Sequence, residues 1–397
     1  MSAKNEVVIL SGARTAIGTY GGSLKTVSPI DLGITAAKAA IERSGLSAEE
    51  IGHTYFGNVI HTEPRDMYLS RAVSVGAGIP IGSPSLTLNR LCGSGLQAIV
   101  SACRTVELGD ADAALAGGAE NMSKGGYMLP NLRWGNRMGP ATGVDMMVGA
   151  LTDPFGNGHM GITAENVAAK HNVTREDQDT LALNSQNRAE AAIENGYFTE
   201  QIVPVEVTVR RKTSVFDTDE HVRRGADMAS LTKLRTVFKK EEGTVTAGNA
   251  SGINDGAAAV VLMNAASAEA KGLKPMAKIL AYGHGGVEPS TMGMGPVPAV
   301  KDALSKTNLT VADMDVIESN EAFAAQACAV ARELNFPDEK TNPNGGAVAL
   351  GHPIGATGCI LTVKTMYELK RTGGKYGLIT MCIGGGQGIA MVIENMA

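Results

Sequence analysis

Two stretches decide the fold: AAIERSGLSAEEI at residues 39–51 and DALSKTNLTVADM at residues 302–314. Laid over each other they agree at Ala40-Ile41 with Ala303-Leu304, at Leu46-Ser47 with Leu309-Thr310, and at Glu50-Ile51 with Asp313-Met314, all at an offset of 263 residues. Each reads as the end of a helix, a short polar turn and the approach to a strand. Similarity at a fixed spacing marks a repeated unit, although helix-turn-strand segments of unrelated origin share such composition. Two further correspondences favour duplication. Cys92-Gly-Ser-Gly95 and His352-Pro-Ile-Gly355 each open an Ala-rich helix, and AALAGG at 113–118 resembles LITMCIGGG at 378–386 as a strand running into glycines.

Outward from the repeat, apolar runs alternate with helical patterns. Val7 to Leu10 reads as a strand, Leu32 to Arg43 as a helix and Tyr55 to Ile60 as a strand. A segment from Asp66 to Gly76 follows, then a helix from about Cys92 to Leu108 and a strand from Ala111 to Ala116 that ends in a turn at Gly117-Gly118. This is the rhythm of a βαβ protein. From about Glu120 to Gly243 the composition becomes polar and irregular, although Thr174-Arg-Glu-Asp177 is a capping box that starts a helix toward Asn195. The strand-like AAAVVLM at 257–263 then completes the first half. Three units result: a core domain of residues 1–120 completed by 244–272, an inserted lobe of 121–243, and a second core domain of 273–397.

The chain has 397 residues, enough for two substantial apolar cores, and 44% hydrophobic residues suits a folded protein. A net charge of −5 lacks the basic footprint of nucleic-acid or anionic-membrane binding, which leaves small-molecule chemistry. The apolar run in MSAKNEVVILSGARTAIG is short for a signal peptide, ENMA is not a peroxisomal address, and no stretch reaches the ~20 apolar residues of a membrane span. Five cysteines, an odd number without CxxC pairs, point away from a disulfide framework and a structural zinc, so a cytoplasmic location with reduced thiols is expected.

Four segments carry chemistry: NRLCGSGLQA around Cys92, ESNEAFAAQ around Asn320, GHPIGATG around His352 and MCIGGGQG around Cys382. A cysteine at a helix start meets unpaired amide N–H groups and the positive end of the helix dipole, which favour a thiolate. A buried structural cysteine at a small-residue turn is the plain alternative. A thiol of ordinary pKa near ~8.5 gains from an adjacent base, and His352, before a proline and among glycines at another helix start, is the best candidate. His53, His61, His171, His221 and His284 have no comparable setting. Cys382 follows an apolar strand and precedes three glycines, where backbone N–H groups could form an oxyanion hole; an inert cysteine in a glycine-rich hairpin fits too. Cys103, Cys328 and Cys359 fall in helical runs and read as packing. Asn320 could be only the cap of a helix from Ala322 to Leu334. The joint pattern outweighs these single readings, because four such segments stand at element ends of two related halves.

In combination the four motifs resemble the thiolases along nearly the whole chain. His159-Met160 in GHMGITAENVA and TVTAGNASGINDGAAA at 244–259 are similar to the biosynthetic, acetyl-CoA acetyltransferase branch. Where many thiolases read a glycine- and glutamine-containing stretch ending in NPAR, this chain reads GNVIHTEPRDMYLSR at 57–71, which resembles the broad-specificity β-ketothiolases of polyhydroxyalkanoate-making bacteria. The resemblance implies a duplicated α/β fold of two five-stranded mixed sheets with helices in αβαβα layers, plus the inserted lobe. Two domains pack through helices, and Cys92 and Cys382 meet at the junction. It implies Cys92 as the acylated nucleophile, His352 as its base, Cys382 as the acid/base of the second half-reaction and Asn320 as the holder of a catalytic water. That water and His352 would form one oxyanion hole, and the backbone N–H groups of Cys92 and Gly384 another. CoA contacts would fall on His159, Arg223, Ser230, Ala247 and Ser251. A homotetramer is implied, with small-molecule acyl-CoA substrates and neither metal nor redox cofactor.

The implied reaction is a ping-pong Claisen condensation of acetyl-CoA with an acyl-CoA, or its reversal by thiolysis. A decarboxylating ketoacyl synthase would share the fold and a nucleophilic cysteine but would not need the thiol of Cys382. A catalytically silent acyl-CoA-binding protein would not need all four motif residues.

Overall fold

The computed structural model describes residues 5–397. Its first half contains strands β1 (Val7–Arg14), β2 (His53–Gly57), β3 (Ser85–Leu88), β4 (Ala113–Asn121) and β5 (Asn254–Asn264). The second half contains β6 (Ala277–Gly286), β7 (Val316–Ser319), β8 (Tyr376–Ile383) and β9 (Gln387–Asn395). The sheet order is β1-β5-β4-β2-β3 in the first half and β6-β9-β8-β7 in the second. The pairing of β1 with β5 and of β5 with β4 is antiparallel, as is β6 with β9 and β9 with β8, while β2 runs parallel to β4 as β7 does to β8. Register repeats as well: His53 faces Ala114 and Val316 faces Gly377, both displaced by the 263 residues of the sequence repeat. The two sheets touch edge to edge only where Val8 and Ile9 of β1 pair with Lys278 and Ala277 of β6.

Eight helices set the layers: α1 (Pro29–Ser44), α2 (Leu69–Gly76) and α3 (Ser94–Leu108) in the first half; α4 (Met160–Lys170) and α5 (Arg175–Glu194) between the halves; α6 (Pro296–Leu304), α7 (Ala324–Leu334) and α8 (Thr357–Thr372) in the second. Helix α1 covers the outer face of the first sheet, α3 and α8 fill the space between the sheets, and α6 covers the outer face of the second, giving αβαβα layers. Burial on both sides explains the small, apolar strands without alternation: every residue of β4 is buried. The repeated turn read from the sequence is present twice. Residues 48–50 and 311–313 each form a 3-10 turn closed by a capping box, Ser47 with Glu50 and Thr310 with Asp313.

The structure alters five details of the sequence reading. Gly117 and Gly118 are not a turn but lie inside β4, because a Cβ at Gly118 would fall 2.1 Å from the Gly355 carbonyl oxygen, so the strand must be bare where the second half crosses it. The second sheet has four strands, its fifth reduced to a single parallel bridge between Ile317 and Thr341. Helix α3 starts at Ser94, leaving Cys92 in the preceding turn, and α8 starts at Thr357, five residues after His352. Asn320 is not a helix cap, since α7 begins at Ala324 behind Phe323. Cys382 belongs to β8 itself, and the glycines after it make a tight hairpin turn into β9, with Gly385 and Gly386 at φ 82° and 86°.

Between Asn121 and Asn254 the chain leaves the first sheet and returns to it. Thr174 accepts from Asp177 N at 3.1 Å and opens α5 as the sequence predicts. Part of this excursion carries apolar side chains in the open, including Tyr127, Leu132, Trp134 and Met138.

The central helices meet backbone to backbone. A Cβ at Gly95 would lie 2.8 Å from Cys359 N, and one at Gly358 would lie 2.2 Å from Leu96 N. Gly358→Ala should therefore lower the midpoint of urea unfolding by an amount equivalent to about 1–3 kcal/mol, whereas Gly82→Ala, with no atom within 4 Å of its would-be Cβ, should leave the midpoint near wild type. Equal midpoints for the two variants would refute the close-contact account.

Candidate active site

Cys92 sits on the turn between β3 and α3. Leu91 before it adopts φ 45°, left-handed for a leucine and costing about 1 kcal/mol. The turn is held by Ser94, whose hydroxyl accepts from Arg90 N at 2.8 Å and donates to Leu91 O at 2.7 Å, and by Asn89 Oδ1, which accepts from Leu91 N at 2.8 Å. The thiol is nearly enclosed, packed with Ile60, Met122 and Ile354. Burial pushes it up to about 11, against the pull of the Gly384 N–H and with Glu120 adding to the rise. The neutral thiol is favoured at rest, because the cost of desolvating a charge exceeds what two N–H groups return.

His352 comes from the second half, in the loop between the one-turn helix Ala347–Leu350 and α8. Its backbone N–H donates to Asn254 Oδ1 of β5 at 2.9 Å, which ties the loop to the first half. Nδ1 lies 2.6 Å from Thr357 Oγ1 and Nε2 lies 3.4 Å from Asn320 Nδ2. An amide donor at Nε2, and at Nδ1 a hydroxyl that already donates to Pro353 O, suit the tautomer that carries its proton on Nδ1 and accepts at Nε2. Burial lowers the imidazole to about 4. A neutral thiol and a neutral imidazole from the two halves thus line one cavity, where burial disfavours the charged form of each.

Asn320 follows β7. Its backbone is pinned by Thr380 O at 3.0 Å and Gln326 Nε2 at 3.1 Å, while its side-chain oxygen is buried without a protein partner. Glu321 beside it accepts from Ser185 Oγ at 2.7 Å and Asn342 Nδ2 at 2.8 Å. Cys382 is fully buried among Met160, Met292 and Ala322, and burial next to Cys92 pushes its thiol far up. A Cβ at Gly384 would lie 2.1 Å from Met160 Cε, so a side chain there would displace the Met160 tip.

A cavity of about 320 Å³ opens onto Cys92 and His352. His159, Ala247 and Ser251 line it too. His159 caps α4 by accepting from Gly161 N at 3.0 Å, which leaves Nε2 as its N–H donor, and burial lowers the imidazole below its ordinary value. Cys382 and Asn320 are outside the lining but touch it, Cys382 packing with Met160, Met292 and Ala322 and Asn320 approaching His352. Arg223 and Ser230 are exposed and outside the lining, Arg223 donating to Ala247 O at 3.3 Å and Ser230 accepting nothing from the cavity side but bonded to Asp227. The sequence reading missed Phe238, which stacks on His159 at 4.8 Å, and Phe323, Met160 and Met292, which shape the interior. Scarce aromatics were the one signal: Phe238 is among only seven phenylalanines. It also missed Glu120, Asn254 and Thr357, whose partners lie far away in sequence.

Family models for the thiolase N-terminal and C-terminal domains match residues 7–266 and 273–395. The chain is 59% identical over 391 residues to the beta-ketothiolase BktB of Cupriavidus necator, covering 98% of this chain and 99% of that protein. Among solved structures it resembles the acetyl-CoA acetyltransferase of Bacillus anthracis, with a TM-score of 0.97 at 43% identity and full coverage of both chains. It also resembles human mitochondrial 3-ketoacyl-CoA thiolase in complex with CoA, with a TM-score of 0.95 at 44% identity, covering 100% of this chain and 99% of that one. Matched over both halves in sequence and in structure, this chain belongs to the thiolase family.

Proposed function

We propose that this thiolase works through an acyl-Cys92 intermediate, with His352 as the base that activates the thiol and Cys382 as the acid/base of the second half-reaction. The activity is the reversible condensation of acetyl-CoA with an acyl-CoA to a 3-ketoacyl-CoA, and the thiolysis that reverses it. One observation supports the assignment above others: a buried neutral thiol and a buried neutral imidazole from different halves face the same cavity.

The proton on Cys92 passes to His352 Nε2 as the sulfur attacks the thioester carbonyl, and CoA leaves as the thiol with the proton from His352. Developing negative charge on the carbonyl oxygen is met by the N–H groups of Cys92 and Gly384. For the second acetyl-CoA, Cys382 first gives up its own proton, for which neutral His352 is available. The Cys382 thiolate then takes an α-proton, and the enolate attacks the acyl-Cys92 carbonyl. Cys92 departs as a thiolate and recovers the proton held on His352, so the balance closes. Asn320, whose buried side-chain oxygen has no protein partner, is suited to hold a water that with His352 receives the enolate oxygen. None of these steps uses a metal or a redox cofactor.

Residues 121–243 act in this reading as a lobe on a core of 1–120 completed by 244–272, beside the second core of 273–397. The lobe supplies His159, Arg223 and Ser230 to the CoA site, with Ala247 and Ser251 on the returning segment. His159 presents an N–H donor, and Arg223 is an exposed cation able to meet a phosphate. The exposed Tyr127, Trp134 and Met138 of the lobe fit subunit contacts of a homotetramer. No helix among the described residues is long and apolar enough to cross a membrane, and a cytoplasmic location is part of the proposal.

Intact-mass measurement after brief exposure to acetyl-CoA should show one added acetyl group on wild type and on Cys382→Ser, and none on Cys92→Ser. Cys382→Ser should release CoA in a single burst and fail to condense. An adduct that survives Cys92→Ser would remove Cys92 as the carrier.

The neutral resting pair makes a second prediction. A depressed thiol would show a flat alkylation rate across neutral pH, but a raised one stays protonated and its rate climbs with pH. Iodoacetamide labelling mapped to Cys92 should rise with no plateau below about pH 9, and a plateau at neutral pH would indicate a resting ion pair instead.

A further inference from the structure

We propose that Glu120 is a positioning residue for this reaction: its carboxylate fastens the loop carrying His352, and the segment carrying Ile60, to the wall of the Cys92 pocket. The proposal rests on the reading of Cys92 as nucleophile and His352 as base.

Glu120 lies near the end of β4 and is fully buried. Oε2 accepts from Val59 N at 3.0 Å and Gly355 N at 2.9 Å, and Oε1 accepts from Ile60 N at 3.1 Å and Asn58 Nδ2 at 3.1 Å. Three of these donors follow β2 in the first half. The fourth belongs to the loop of the second half that carries His352. Ile60 and Ile354, on the backbone those bonds hold, pack with Cys92 and with Met122, two residues beyond Glu120. Three walls of the nucleophile's pocket and the base's loop therefore hang from one side chain.

The fit leaves little slack. A Cβ at Gly355 would fall 2.5 Å from Glu120 Oε2 and 3.1 Å from Asn58 Cα, so the loop lies flat on the carboxylate. Each oxygen faces two N–H donors, and only the ionised carboxylate offers acceptors in all four directions. Burial and Asp66 oppose that charge and push the group up to about 8, and Cys92 is the other titratable group that feels it. The Ile60, Val59 and Gly355 N–H groups pull the other way, and with the Asn58 amide every contact to the two oxygens is a donor, the set a carboxylate accepts. An amide in its place turns an NH2 against two N–H groups and forces the loop away.

The test uses the full enzyme and Glu120→Gln, reading the burst rate of CoA release from acetyl-CoA per folded molecule, the apparent KM and the thermal midpoint. We expect the acylation rate to fall at least about tenfold with KM within about twofold, because small displacements of a base cost rate more than ground-state binding. Asn58→Ala keeps the carboxylate and removes one donor, and its acylation rate should fall about two- to threefold; it decides the question should the glutamine variant not fold. A Glu120→Gln burst rate per folded molecule within about twofold of wild type, or an unchanged Asn58→Ala where the glutamine variant cannot be made, overturns the proposal. Failure of the Cys92 reading itself looks different, since wild type would then show no burst.

Discussion

Helices α3 and α8 can touch only because Gly95 and Gly358 are bare, and everything catalytic depends on that contact. The two glycines are equivalent positions of the duplicated unit, 263 residues apart, and each sets its Cα against the other helix's backbone. A single methyl group at either would separate the helix starts, and the turn bearing Cys92 and the loop bearing His352 are attached to those starts. Close packing at the centre of a five-layer fold thus fixes a chemical distance. Neither half holds both groups, so the site exists only while the halves are docked.

Docking also sets the electrostatics. At a buried junction the penalty for bare charge is large, and it holds both partners neutral, the thiol raised to about 11 and the imidazole lowered to about 4. A proton transfer between them therefore has to be drawn forward by the charge that develops on the substrate. A permanent thiolate–imidazolium pair would be a more reactive resting nucleophile, but its stable charge separation would also have to be undone at each half-reaction. In the proposed mechanism, holding both groups neutral leaves the proton to move when the substrate carbonyl arrives and the N–H groups of Cys92 and Gly384 have something to stabilise.

The duplication was legible in sequence because capping boxes and helix-to-strand turns are local: Ser47 with Glu50 and Thr310 with Asp313 act within one turn of chain. Cys92, His352, Asn320 and Cys382 were legible for a related reason, since each stands at an element end among small residues. What sequence could not disclose depends on distance along the chain. The glycines of β4 looked like a turn because the segment that requires a bare Gly118, the Gly355 loop, is 237 residues further on. Glu120 looked like the edge of a polar excursion, and only the fold brings Val59, Ile60 and Gly355 to its oxygens. The extent to which the Cys92 thiol is raised was hidden likewise, because burial is a property of the assembled junction and not of the helix start.

Superposing the halves at the 263-residue offset shows where the chemistry came from. Cys92 corresponds to Gly355, His352 to Asn89, Asn320 to Gly57 and Cys382 to Ala119. Every residue proposed to react has an unreactive counterpart, and two of these are structural: Asn89 braces the Leu91 turn, and Gly355 gives its N–H to Glu120. At corresponding element ends, then, one half keeps the residue that holds the backbone and the other presents the residue that reacts. A perfectly symmetric dimer of such units would have either two bracing residues or two reactive ones at each paired position. Fusion into one chain relaxes that restriction, because the two copies can diverge independently while β1 against β6 and Gly95 against Gly358 keep the frame. The asymmetric site is therefore a consequence of duplication within a chain, with the conserved contacts carrying the geometry and the diverged positions carrying the reaction.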